Sequence, residues 1–119
     1  MPRLLVVEDE FFVATYIECL LSDEGHEVIG PVGNLDTAKE IARDEAIDGA
    51  LLDVNLGGAR IDDVVDILTR RNVPFFFVTA YGRDNLPPGH QQAVVVYKPF
   101  NDTVLLREVR QLARVEVAT

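Results

Sequence analysis

Tryptophan is absent, and cysteine occurs once, at position 19. A single cysteine excludes an internal disulfide framework and a cysteine-rich metal site. With Ile17, Leu20 and Leu21 around it, Cys19 is expected to be a buried, inert thiol. Basic residues are scarce: 11 lysines and arginines stand against 20 acids, a formal net charge of −9. Nucleic-acid binding draws on a basic patch, so no nucleic-acid partner is expected. No apolar run approaches the roughly 18 residues that a membrane span requires. The first apolar run meets Glu8 and Asp9 too early for a secretory leader. Neither GxGxxG nor GxxxxGK occurs, so Gly57 and Gly58 read as loop punctuation rather than a phosphate-cradling loop. His26 and His90 lie far apart and poorly accompanied, which speaks against a histidine metal site. What is left is a cytoplasmic protein of one domain over residues 1–119, long enough for a real core, with 48% apolar and 26% charged residues.

What is present is an alternation of short apolar runs with helically spaced segments. "LLVV" (Leu4 to Val7) is a strand that stops at acids. Phe12, Val13, Tyr16, Ile17, Leu20 and Leu21 then follow helical spacing up to a stop at Gly25. "EVIG" gives a second strand, and Asn34 is a plausible N-cap for a helix that turns Leu35, Ala38, Ile41 and Ala42 inward. "DGALLDV" is apolar enough to be buried on both faces. "LGGAR" reads as a loop, and Ile61, Val64, Val65 and Leu68 mark a third helix ending near Asn72. "PFFFVTA", with Phe75, Phe76 and Phe77 as core, and "AVVVY" supply two more strands. A last helix runs from about Asp102 to Arg114 on Val104, Leu105, Val109 and Leu112. Between the last two strands, "YGRDNLPPGHQQ" contains Pro87 and Pro88, which forbid a long helix. At most a turn or two of helix is expected before Leu86. Strands alternating with helices predict βαβ units, a parallel sheet and helices on both faces.

In an open parallel sheet, functional groups gather at the carboxyl ends of the strands. Four of the five predicted strands carry functional groups to that edge: Glu8, Asp9 and Glu10 after the first, Asp53 and then Asn55 after the third, Thr79, Ala80 and Tyr81 after the fourth, and Lys98 after the fifth. Like charges about 4 Å apart cost roughly 4 kcal/mol per pair at an effective dielectric of 20. A hard divalent cation with oxygen ligands relieves that cost, and Mg²⁺ is the usual choice beside phosphate. Carboxylates, a metal, an ammonium and a hydroxyl form a phosphoryl-transfer constellation. Asp53, the deepest carboxylate, is the candidate nucleophile, and its product would be an acyl phosphate.

"VVEDE", "LLDVNL", "VTA" and "YKPF", in that order and with 44 residues from Asp9 to Asp53, resemble the receiver domains of two-component response regulators along the whole chain. The resemblance implies a flavodoxin-like, doubly wound sheet of five parallel strands in the order 2-1-3-4-5, with the fourth helix short or irregular here. It implies Mg²⁺ at Glu8, Asp9 and Asp53, with the Asn55 main-chain carbonyl as a further ligand. Asp53 would be the phosphoacceptor, Thr79 the switch hydroxyl, and Lys98 the partner of the phosphoryl group, next to a cis Lys98–Pro99 bond. Ala80, Tyr81 and Pro99 would modulate the site, with Tyr81 a semi-exposed lid. The implied donors are a histidine kinase or a histidine phosphotransferase; a downstream protein target and a homodimer through the last strand and helix are also compatible with it. "PFFFVTAYG" further resembles the "PFxFATGYG" pattern of the FATGUY receivers, with Val78 in place of alanine and Ala80 in place of glycine.

Two departures bear on output. Most receivers carry an aromatic three residues before the lysine, where this chain has Val95, and the proline-rich link shortens the fourth helix. The resemblance therefore implies a phosphorylation-dependent switch that assists its own phosphorylation and dephosphorylation without being a metabolic enzyme. Three other functions compete. A haloacid-dehalogenase-type phosphatase wants an aspartate where Asn55 stands. A receiver that binds partners without phosphorylation is hard to square with the complete set of site residues. A flavin-binding domain of similar topology would need a phosphate-cradling loop.

Overall fold

The computed structural model describes residues 2–117, with side chains as far as residue 112. The elements in chain order are β1 (Arg3–Val7), α1 (Phe11–Asp23), β2 (Glu27–Val32), α2 (Leu35–Asp44), β3 (Gly49–Leu52), β4 (Asn55–Leu56), β5 (Ala59–Arg60), α3 (Asp62–Arg70), β6 (Phe75–Thr79), β7 (Val95–Tyr97) and α4 (Asp102–Val117). The main sheet has the order β2-β1-β3-β6-β7, and every pairing in it is parallel. Counted along the chain, its five strands run 2-1-3-4-5, the expected flavodoxin-like topology. β4 and β5 form a separate two-residue antiparallel ladder. The "LGGAR" stretch is therefore a hairpin rather than a plain loop. Gly57 and Gly58, both at positive φ, make its turn, the conformation a two-residue hairpin demands.

The strands sort their side chains by the two-residue period of an extended chain. From β1, Leu5 and Val7 enter one core cluster, with Ala38 and Ala42 of α2 and Val64, Val65 and Leu68 of α3. Leu4 and Val6 enter the other, with Ile17 and Leu21 of α1 and Leu105, Val109 and Leu112 of α4. β6 splits likewise, Phe77 to the first cluster and Phe76 and Val78 to the second. Burial on both faces explains why "DGALLDV" and "PFFFVTA" read as unbroken apolar runs.

The ends of the helices are set locally. Asn34 caps α2, its side chain accepting from the Thr37 N–H at 2.8 Å. Asn72 stands at φ 58 just beyond α3, a conformation that asparagine tolerates better than most residues.

The link from β6 to β7 contains a single 3₁₀ turn, Arg83–Asn85. Leu86 and Pro87 then bury themselves, with Leu86 in the α2/α3 core cluster. Side chains satisfy carbonyls that a helix would have paired. Arg83 donates to the Gln91 and Ala93 carbonyls at 3.1 and 2.8 Å, and Arg60 donates to that of Asn85 at 2.9 Å.

One expectation about α1 is corrected. Cys19 is exposed, because it shares neither the position nor the face of Ile17 and Leu21. Phe12 is 84% exposed and Tyr16 48%, so both lie outside the core. Ala14, Ile17 and Leu21 are the buried residues of α1. On α4, Val104 is likewise exposed, whereas Leu105, Val109 and Leu112 are buried.

Candidate active site at the carboxyl edge

Adjacent strand ends are tied together by backbone bonds. The Glu8 N–H donates to the Val32 carbonyl at 2.9 Å, that of Asp53 to Val7 at 3.0 Å, and that of Lys98 to Thr79 at 2.9 Å. These ties bring the side chains of Glu8, Asp53, Thr79 and Lys98 to one edge, as the sequence predicts. Glu8, Asp53 and Thr79 are the buried polar residues among those described.

Lys98 is the hub. Its Nζ lies 2.7 Å from Glu8 Oε1, 2.9 Å from Glu10 Oε1 and 3.1 Å from Asp53 Oδ2. The contacts to Glu10 and Asp53 are hydrogen bonds. The contact to Glu8 is a close ion pair without hydrogen-bond alignment, and it leaves Glu8 Oε1 buried with no hydrogen-bond donor. Burial lowers the pKa of the Lys98 ammonium, but the close carboxylates of Glu8 and Glu10 outweigh that and set it above the usual lysine value. Burial also pushes the Glu8 carboxyl up to about 7, with the Asp53 charge adding to the rise, against the opposing pull of Lys98 and the Glu10 N–H. The Lys98–Pro99 peptide is cis.

A cavity of about 370 Å³ opens over this cluster. Asp9, Asp53, Asn55, Ala80, Tyr81 and Lys98 are among its lining residues. Asp9 is exposed at its rim. Among the described residues, the carboxylates whose oxygens lie within 4.8 Å of one another are those of Glu8, Glu10 and Asp53. Glu8 and Glu10 both meet Lys98 Nζ, whereas Asp9 lies on the Gly57 side of the cavity, its Oδ2 3.7 Å from where a Cβ on Gly57 would stand. Asn55 uses its side-chain oxygen within the hairpin, accepting from the Gly58 N–H at 2.7 Å, and its own N–H makes a long 3.5 Å contact with Asp53 Oδ1. Thr79 lies beneath the cavity, its Oγ1 accepting from the Tyr81 N–H at 3.1 Å. Tyr81 is 47% exposed and lines the cavity.

Sequence reasoning missed two parts of this edge. Glu10 accepts a hydrogen bond from Lys98 at 2.9 Å, a role that its place at the first strand end does not by itself reveal. The two-residue spacing of Glu8 and Glu10 was the available signal. The other part is an apolar groove of about 740 Å³ beside the acid cavity, lined in part by Phe12, Val13, Tyr16, Pro99 and Phe100. Glu10, Ala80 and Lys98 line both hollows. The Tyr16 hydroxyl donates to the Asp102 carboxylate (2.6 and 2.8 Å), and its ring lies 6.0 Å from that of Phe100.

The residues present suit a hard divalent cation. All the donors are oxygens, three carboxylates converge, and the buried Glu8 Oε1 lacks a hydrogen-bond donor. No helix among the described residues is long and apolar enough to cross a membrane.

No family model matches the chain. Comparison with individual proteins is more informative. The phyllosphere-induced regulator PhyR of Methylorubrum extorquens is 35% identical over 102 residues, covering 82% of this chain and 38% of PhyR, so the chain spans well under half of that relative's length. The solution structure of SdrG from Sphingomonas melonis superposes with a TM-score of 0.82 at 31% identity, over 95% of this chain and 97% of that one. The receiver (REC) domain of the response regulator PhyR from Erythrobacter litoralis superposes with a TM-score of 0.79 at 29% identity, over 94% and 89% of the two chains. Fold, strand-end chemistry and these likenesses converge: the chain belongs to the receiver domains of response regulators.

Proposed function

We propose that this receiver is a phosphorylation switch in which Asp53 accepts a phosphoryl group from a phosphohistidine donor, a histidine kinase or a histidine phosphotransferase. The observation that carries this reading is the contact of Lys98 Nζ with Asp53 Oδ2 at 3.1 Å at the edge of an open acidic cavity. In the transfer, an Asp53 carboxylate oxygen attacks phosphorus. The bond from phosphorus to the donor's imidazole nitrogen breaks, and its electron pair leaves with the imidazole. The Lys98 ammonium then moves onto a phosphoryl oxygen, and the Thr79 hydroxyl, released from Tyr81, donates to another. Glu8, Asp9, Asp53 and the Asn55 carbonyl would hold Mg²⁺. Bound Mg²⁺ supplies charge neutralisation for the carboxylates and the transferring phosphoryl oxygens. The groove beside the site gives a protein donor an apolar surface to rest on while its histidine reaches Asp53.

Under this reading the protein assists its own phosphorylation and dephosphorylation, acts in the cytoplasm, and turns over no metabolite. The phosphoryl group biases a two-state surface that a partner reads. With Val95 at the usual aromatic position and a single 3₁₀ turn in place of the fourth helix, that read-out runs through parts other than the usual ones. Incubation with Mg²⁺ and acetyl phosphate should add one phosphoryl group to the intact mass, and Asp53→Asn should abolish the gain. A folded protein that gains no mass under these conditions would sink the proposal.

A further inference from the structure

An ammonium carries three N–H donors, and in the resting site three carboxylate oxygens lie within 3.1 Å of Lys98 Nζ. Two of these oxygens, on Glu10 and Asp53, take hydrogen bonds, and the third crowds the same ammonium, so a phosphoryl oxygen arriving at Asp53 enters a filled shell from which one carboxylate has to move aside. The three are not equivalent. The side chains of Glu8 and Asp53 are 2% and 7% exposed, and that of Glu10 is 62% exposed. Releasing a buried carboxylate strands a charge away from water, whereas Glu10 passes into solvent at little cost. Glu10 also has no other structural task for its side chain. It occupies the N-cap position of α1 without making a side-chain cap bond. Its main-chain N–H is the part that supports the site, donating to Glu8 Oε2 at 3.1 Å, and that bond survives any substitution of the side chain.

We propose that Glu10 is a placeholder for the phosphoryl oxygen: its carboxylate holds Lys98 in the resting protein, yields it on phosphorylation, and competes to take it back. Glu10 is thus a positioning residue that acts through Lys98 and sets both the rate at which Asp53 is phosphorylated and the lifetime of the acyl phosphate. The inference rests on the phosphoacceptor role of Asp53 proposed above. In the exchange, the Lys98–Glu10 hydrogen bond is replaced by a Lys98–phosphoryl hydrogen bond. The ammonium keeps all three protons throughout, and hydrolysis of the acyl phosphate restores the original pairing.

The test compares wild type, Glu10→Gln and Glu10→Asp. Phosphorylation by acetyl phosphate with Mg²⁺ is followed by intact mass, decay of the acyl phosphate after removal of the donor is followed in the same way, and Mg²⁺ affinity is measured by calorimetry without donor. Glu10→Gln should speed phosphorylation and lengthen the lifetime by about two- to fivefold each, the scale of an exposed ion pair. Glu10→Asp keeps the charge but loses the reach to Lys98, so it should shift both rates in the same direction. Mg²⁺ affinity should stay within about twofold of wild type, since the removed contact is with Lys98 and not with the metal. Four outcomes overturn the proposal. Unchanged rates in both variants would leave the contact idle. A fast Glu10→Gln beside a wild-type-like Glu10→Asp would assign the effect to charge at the entrance. Slower phosphorylation with weakened Mg²⁺ binding would make Glu10 a metal ligand. Wild type that takes no phosphoryl group at all would sink the phosphoacceptor reading and this inference together.

Discussion

Lys98 balances the buried edge of the sheet, and the consequence differs for each partner removed. Lys98→Met leaves Glu8 and Asp53 facing each other without their cation. Breaking a fully buried ion pair in this way costs roughly 3–5 kcal/mol. Here Glu8 can take up a proton and Glu10 stands in water, so the expected loss is smaller, roughly 1–3 kcal/mol near neutral pH. Asp53→Asn removes one of the repelling charges and should leave stability unchanged or raised. Urea denaturation of both variants checks the pair, and a stable Lys98→Met would show that the carboxylates do not depend on the ammonium. Glu8 adds a pH dependence of definite sign. Its folded pKa stands at about 7 against an ordinary 4.5. Between those values the folded state holds a proton that the unfolded chain has released, so stability falls as pH rises through the window. The urea midpoint should therefore drop between pH 5 and pH 8. Glu8→Gln should flatten the slope, and excess Mg²⁺ at pH 8 should restore part of the lost stability. An unaltered slope in Glu8→Gln would assign it to other groups.

At the scale of elements, the regular parts of the molecule were legible because their signals are local. Period-two burial in β1 and β6, the Asn34 cap and the glycine after α1 each act within a few residues. What stayed hidden depends on partners distant in the chain. The link between β6 and β7 looks structureless in sequence, yet Arg60 comes from 25 residues away to bond the Asn85 carbonyl, and Leu86 inserts into a core built by other elements. Phe12 and Tyr16 share the helical spacing of the α1 core residues, but the sheet covers only the side of α1 that carries Ala14, Ile17 and Leu21. The site divides in the same way. Glu8, Asp53, Thr79 and Lys98 were legible from strand ends, whereas the bond from Glu10 to Lys98 spans 88 residues and needs the folded edge. Two substitutions test the hidden supports. Leu86→Ala should cost about 2–4 kcal/mol, the range for emptying a buried leucine site. Gly30 stands at φ +100, and a Cβ there would sit 2.8 Å from the Val32 nitrogen and 2.9 Å from the Val6 oxygen. Gly30→Ala should therefore destabilise by roughly 1–3 kcal/mol through strain where β2 crosses the end of β1. Urea midpoints close to wild type would show that the link and the bend relax freely.

At the scale of the whole molecule, the topology places two unlike surfaces side by side. The carboxyl edge of the sheet gathers acids and Lys98, and α1 turns Phe11, Phe12 and Tyr16 outward, with Phe12 and Tyr16 lining the groove that Phe100 shares. A chain of net charge −9 cannot draw an anionic donor by long-range attraction. Contact area beside the site has to supply that association instead, and an exposed aromatic is the type of side chain that anchors protein interfaces. Small donors such as acetyl phosphate need only the acid cavity, so the two kinds of donor should respond differently to a change in the groove. Phe12→Ala should leave stability within about 0.5 kcal/mol of wild type, as expected for a surface position. Phosphorylation by acetyl phosphate should keep its wild-type rate. Transfer from a phosphorylated histidine phosphotransferase should slow by about five- to thirtyfold at sub-saturating protein, the effect of losing an interface anchor. Rates measured with both donors on the same preparation decide it. An equal slowing with both would move Phe12 into the chemistry of the site, and an undiminished protein-to-protein rate would place the donor on another face.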